Sequence, residues 1–174
     1  MTNKLILSFS PEENPFEQDK DRGLIWGRIN LNVVNPHGEI LQRVIDMVWD
    51  VKELVIWILS NEWFFYNEEF PKEYLAGGHS IAEYRWRYYD LRTDDSIDDL
   101  ADGILYKYEM RHSIHHGMSG TKTIKAYIGK RNDTYEISYC RDETRNWRYD
   151  FNIVDFINGV KEIGRNYRLI ADNG

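Results

Sequence analysis

Apolar and polar positions alternate along residues 24–34. Ile29, Leu31 and Val33 fall on one side and Arg28, Asn30 and Asn32 on the other, the period-two pattern of a half-buried strand. Residues 5–9 read as a shorter strand, and Asn35-Pro36-His37-Gly38 as a turn. The period then changes. Val51, Leu54, Val55, Ile58 and Leu59 recur at helical spacing behind Asp50, and Asp50 and Glu53 have capping-box spacing. A helix over 50–66 follows, with Pro71 beyond its end. Residues 39–49 fit a strand or a helix equally.

Between 81 and 91, Tyr84, Trp86 and Tyr88 alternate with Glu83, Arg85 and Arg87, which predicts another strand. A second helix is expected from about residue 94 to Arg111, then a glycine- and histidine-rich loop over 112–120. Three strands follow at 121–129, 133–140 and 146–151. Asn152 can cap a last helix reaching about Gly164, with Val154, Phe156, Ile157 and Val160 available to its buried side. The pattern predicts an α+β fold, a single domain over 1–174 with a mostly antiparallel sheet and about three packed helices. Residues 11–22, polar and holding Pro11 and Pro15, form a candidate flexible loop.

A chain of 174 residues, 42% hydrophobic, can bury a substantial core. Six Trp and twelve Tyr are many for this length; most are expected in the core, and any left at the surface would serve as binding anchors. The net charge of −7 is unevenly spread. Residues 1–110 carry 21 acidic and 11 basic side chains, whereas 111–174 carry 8 acidic and 11 basic. The acidic N-terminal part argues against general binding to a phosphate backbone and suits a basic protein partner. The one cysteine, Cys140, allows no internal disulfide and sits in an alternating strand pattern. The apolar stretch at the N-terminus is too short for a signal peptide and no run reaches membrane-spanning length, so a reducing cytoplasmic location is expected.

Residues 93–102 concentrate the charge. On a helix, Asp94, Asp95, Asp98, Asp99 and Asp102 fall within one arc of about 140°. Ile97, Leu100, Ala101, Ile104 and Tyr108 take the other side, and Lys107 is the only base before Arg111. Like charge gathered on one face repels itself, and a basic partner is one reason to keep it there. Solvation of an ordinary helix face, with an Asp-rich first turn complementing the helix dipole, is the plainer alternative.

Other constellations are weaker. His112, His115 and His116 with Glu109 have spacing that could hold a metal, although Gly117 and Gly120 suggest that the helix has ended there, where polar and cationic groups serve as caps. An EF-hand alignment from Asp98 to Glu109 fails at Leu100, which offers no side-chain oxygen. Cys140 with His112 or His115 could form a nucleophile pair only if the fold joins them. Arg85, Trp86, Arg87 and Tyr88 imitate a base-stacking surface, but strand alternation would separate the arginines from the indole. Gly77-Gly78-His79-Ser80 lacks the ending of a phosphate loop. No motif calls for a cofactor.

The layout resembles a known group of proteins. An aromatic-rich strand pair leads to the capped helix Asp50-Val51-Lys52-Glu53-Leu54-Val55-Ile56-Trp57 and then to the acidic helix. Gly120-Thr121-Lys122-Thr123-Ile124-Lys125-Ala126-Tyr127-Ile128-Gly129, Tyr135-Glu136-Ile137-Ser138-Tyr139 and Tyr149-Asp150-Phe151-Asn152-Ile153-Val154-Asp155-Phe156 follow. Over residues 24–165 this is similar to the small acidic immunity proteins of bacterial polymorphic-toxin and contact-dependent growth-inhibition systems. The resemblance implies a stoichiometric inhibitor, not an enzyme, that binds a toxin domain and blocks its active site or substrate surface. Such toxins are often nucleases, and nucleases that grip phosphates tend to be basic.

The expectation is a cytoplasmic protein whose partner is a basic toxin domain, with no direct contact to nucleic acid or membrane. Asp94, Asp95, Asp98, Asp99 and Asp102 are the expected electrostatic surface, and Trp63 an expected aromatic anchor. The alternatives are a small metal-dependent hydrolase using Glu109, His112, His115 and His116, and a regulatory subunit for another basic protein.

Overall fold

The structure, a computed structural model, describes residues 2–15, 23–71, 79–90, 99–118 and 120–170, with the backbone alone at 90 and 99–101. Three strands open the chain: β1 (Lys4–Pro11), β2 (Trp26–Val34) and β3 (Ile40–Asp50). They pair antiparallel in the order β1-β2-β3. Leu5, Leu7, Ile29, Leu31 and Val33 line the buried face. Residues 39–49, open between helix and strand in the sequence, are strand. Their alternation is blurred because Arg43 pairs with Asn32 and Ile45 with Leu31, leaving Val44 as an extra bulged residue. Val44 and Ile45, adjacent in the chain, are consequently both buried.

Asp50 ends β3 and caps the helix α1 (Val51–Ser60), its Oδ1 accepting from the amides of Lys52 at 3.0 Å and Ile25 at 2.9 Å. The single helix expected over 50–66 is in fact two, α1 and α2 (Glu62–Asn67). Asn61 makes the break: its side-chain amide donates to the Trp57 carbonyl at 2.9 Å, and its own carbonyl accepts from Phe65. The helix end is thus satisfied by a side chain.

The strand expected over 81–91 is a helix, α3 (Ile81–Asp90). Ile81, Ala82 and Trp86 are its buried positions, a helical and not an alternating spacing. Its start is capped: Ser80 Oγ accepts from the Glu83 amide at 3.1 Å, and Glu83 Oε2 accepts from the His79 amide at 2.8 Å. Glu83 also pairs with Arg87 one turn on. Next come α4 (Asp99–His112) and a 3₁₀ turn at Ile114–Gly117.

A second antiparallel sheet follows, β4 (Tyr127–Arg131), β5 (Thr134–Cys140) and β6 (Asn146–Asp150), in that order. The strand expected over 121–129 begins only at Tyr127; before it, Ile114 donates to the Ala126 carbonyl and Ala126 to that of Ile124. The chain closes with α5 (Ile153–Asn166), capped by Asn152 through the amides of Val154 and Asp155 as expected. The architecture is α+β with antiparallel strands; the described residues form two three-stranded sheets and five α-helices where about three helices were expected. The sheets meet through a parallel bridge between Asn3 and Phe151.

The main core gathers α1, α5, the first sheet and one face of the second, including Ile128 and Ile137. A smaller cluster on the other face of the second sheet joins Phe70, Ile81, Ala82, Leu105, Tyr108 and Tyr127. Burying each large aliphatic side chain contributes about 1.5–3 kcal/mol. The smaller cluster holds α3 and α4 against β4 and β5, and so positions the outer face of α4.

Candidate partner-binding surface

Trp63 is 64% exposed, the most exposed large hydrophobic residue among those described. Its indole meets the Phe64 ring edge-on at 5.2 Å, and the Arg111 guanidinium lies 4.6 Å from the centre of the Phe64 ring. Arg111 lies in the last turn of α4, on which Met110 (40% exposed) and Tyr106 (60%) stand one turn apart. Trp57 of α1 donates its indole N–H to the Met110 carbonyl at 3.3 Å, and Ile56 beside it is exposed. Tyr106 and Met110 on α4 and Trp63 on α2 are thus exposed apolar side chains on two helices that the contact of Arg111 with Phe64 joins. Exposed apolar surface of this kind, edged with charge, marks an interaction site more often than an isolated exposed residue does.

Glu68, just past α2, ties that helix to the last turn of α4. Arg111 donates from Nε to Glu68 Oε2 at 2.8 Å, with a second bond from Nη2 to Oε1. His112, fully buried, places Nδ1 2.7 Å from the Ile128 carbonyl and Nε2 3.0 Å from Glu68 Oε2. Both neighbours are acceptors, so both bonds form when both ring nitrogens carry hydrogen. The ring stacks on Tyr108 at 3.8 Å with planes 3° apart. Burial pushes the Glu68 carboxyl up, but the His112 and Arg111 bonds and charges outweigh it and hold it below its usual value.

The acidic residues are placed in part. Asp94, Asp95 and Asp98 lie outside the described residues. Asp99 opens α4, and Asp102 falls on its first turn. Asp102 is half-buried, not fully turned to solvent, and acts on α3: after burial, its charge is the main influence raising the Tyr89 hydroxyl's pKa. Leu105, Tyr108, Glu109 and His112 form the buried side of α4, and Tyr106, Lys107 and Met110 the outer side. A continuous helix runs where the calcium-loop alignment would need a loop.

The residues of the metal alternative are not brought together. Glu109 accepts from Lys125 at 2.9 Å and pairs with Arg85, and these contacts hold its carboxyl below the usual range despite its burial. His112 is engaged as described. His115 and His116 lie on the 3₁₀ turn with ring centres 5.6 Å apart, and burial lowers the His116 imidazole. Among the described residues no three His, Cys, Asp or Glu side chains form a group that could hold a metal. Cys140 points its thiol at the Asp142 carbonyl at 3.7 Å, and His112 is occupied elsewhere.

Sequence reasoning named Trp63 but missed Tyr106, Met110 and Phe64. The available signal was that α4 carries large apolar residues on both sides, Leu105 and Tyr108 against Tyr106 and Met110, more than one buried face can use. Among the described residues no helix is long and apolar enough to cross a membrane. No protein-family model matches the chain, and no curated protein or solved structure matches it significantly.

Proposed function

We propose that this chain is an immunity-type inhibitor, a protein that binds a basic toxin domain one-to-one in the cytoplasm and covers its active site or substrate surface. The observation that carries this reading is the exposure of large apolar side chains, Trp63 at 64% on α2 with Tyr106 and Met110 on α4, the helix whose start is acidic. Aromatic side chains give contact area at low entropic cost and dominate binding energy. The acidic segment from Asp94 to Asp102 supplies long-range attraction to a basic partner and speeds its approach. From Asp102 to Met110 the helix rises about 12 Å. A fitting partner therefore carries a basic cluster about that distance from an apolar anchor.

The test is affinity capture with the tagged protein from its native source at low salt, followed by mass spectrometry. A basic protein recovered at one-to-one stoichiometry and released by salt is the expected result. Recovery of nothing, or of acidic proteins only, overturns the reading.

A further inference from the structure

We propose that the free edge of β1, with α5 beside it, binds an extended segment of a partner protein as an added strand, the segment's basic side chains turned toward α5. Among the described residues β1 pairs along its length on one side only, with β2. Its other side is met where Asn3, just before the strand, bridges to Phe151. An unpaired strand edge presents a row of N–H and C=O groups that a second extended chain satisfies.

A groove of about 300 Å³ runs along that edge, within the size range of binding pockets. Four consecutive residues of β1 line it, Lys4 to Leu7, although successive side chains of a strand point to opposite faces. What lines the groove continuously is therefore the backbone edge of the strand. The opposite wall is α5, through Asp155, Phe156 and Gly159. Gly159 keeps that wall low, since a Cβ built there meets nothing within 4 Å. The gap continues along α5 past Glu162, with Asp155 and Gly159 common to both stretches.

The side chains specify the occupant. Leu5 and Leu7 are buried in one core with Phe156 and Val160 of α5, so α5 lies on the face of β1 opposite Lys4 and Ile6. An added strand offers alternate side chains to these two faces. Toward α5 it meets Asp155, one turn before Gly159, and Glu162, about one turn after it. Both carboxylates are exposed and free of ion pairs among the described residues. Arg165, the base of α5 that lines the gap, stands about one turn further on. A lysine or arginine above Gly159 complements the two carboxylates. On the other face Ile6 is exposed and suits an apolar cross-strand neighbour, while Lys4 disfavours a second row of bases. The occupant is thus a segment that alternates basic and apolar residues. Main-chain bonds give such a complex its affinity and the alternate side chains its specificity. Trp63, Tyr106 and Met110 stand on other helices, so this contact does not depend on the one proposed for them.

The experiment is an NMR titration of the intact chain with an eight-residue peptide of alternating valine and lysine, the length of β1. Shifts centred on the amides of Leu5 to Ser8 and of Gly159, with slowed hydrogen exchange along β1, are the expected result. An alternating valine and glutamate peptide should bind at least about tenfold more weakly, through like-charge repulsion. Gly159→Leu, which fills the groove from an open helix position, should weaken the lysine peptide by about tenfold or more. Absence of shifts along β1, or shifts confined to α2 and α4, overturns the proposal and leaves the Trp63 surface untouched. Equal binding of the two peptides, or of wild type and Gly159→Leu, overturns it as well.

Discussion

The Glu136 carboxylate accepts a hydrogen bond of 2.7 Å from the backbone amide of Ile81, 55 positions earlier in the chain. Ser138, two residues along the same strand, accepts from Ala82 at 3.2 Å. A strand thereby caps a helix that the chain made long before it. The carboxylate faces the positive end of the helix dipole while it pairs with Arg131 and Arg148. Glu136→Ala leaves a buried amide and the Arg131 guanidinium uncompensated, and should cost about 3–5 kcal/mol. Ser138→Ala should cost about 1 kcal/mol. Urea denaturation checks both, and equal small losses would deny Glu136 its anchoring role.

Two glycines should respond to alanine in opposite directions. At Gly129 a Cβ overlaps the Tyr108 hydroxyl and comes within 2.9 Å of Ile81 Cδ1, both held in the packed interior. Gly129→Ala should therefore lower stability by about 1–3 kcal/mol or more. Gly159 lies inside α5 with nothing within 4 Å of the added carbon. Gly159→Ala should raise stability by about 0.5–1 kcal/mol, because alanine is the better helix former. Thermal melts of the two variants give the comparison directly.

Acid should weaken the fold through Glu68. Its folded carboxyl sits below the usual value of 4.5. The stability it contributes is present above that value and is lost as pH falls through the folded value. Glu83 and Glu109 act in the same sense. Glu136 acts oppositely: burial raises its carboxyl, so its contribution declines as pH rises past the usual value. Urea midpoints measured from pH 3 to 7 should fall on the acid side in wild type and fall less steeply in Glu68→Gln. Parallel curves would remove Glu68 from this account.

Charge reversal at Asp94, Asp95 and Asp98 to lysine should slow association with the partner and flatten its dependence on salt, leaving dissociation nearly unchanged. Stopped-flow mixing at two ionic strengths separates these effects. An unchanged association rate in a folded variant would exclude the acidic arc from the interface.

Much of the fold was legible where a single periodicity ruled. Val51, Leu54, Val55 and Ile58 announced α1 and are all buried, and Asn152 announced the start of α5. The misreading of α3 has a clear cause. Tyr84, Trp86 and Tyr88 alternate with charged residues, but Ser80 and Glu83 form a capping pair and Glu83 reaches Arg87 one turn on. Those short-range contacts, with Glu136 and Ser138 arriving from β5, decide for helix. The distant partners could not be read from the local pattern. Asn61 divides α1 from α2 through its own side chain, which composition does not foretell. Among the site residues, Trp63 was named for chemistry and proves exposed, whereas Met110 and Tyr106 needed the geometry of α4 against β4 to be seen as surface.

The most direct measurement is a calorimetric titration of the captured partner with wild type and with Trp63→Ala. Because Trp63 is 64% exposed, its removal should shift stability by less than about 0.5 kcal/mol. The expected result is a Kd raised about thirtyfold or more, equivalent to about 2 kcal/mol, with Tm unchanged. Equal Kd values for the two proteins would contradict the claim that the exposed surface around Trp63 is where this protein binds.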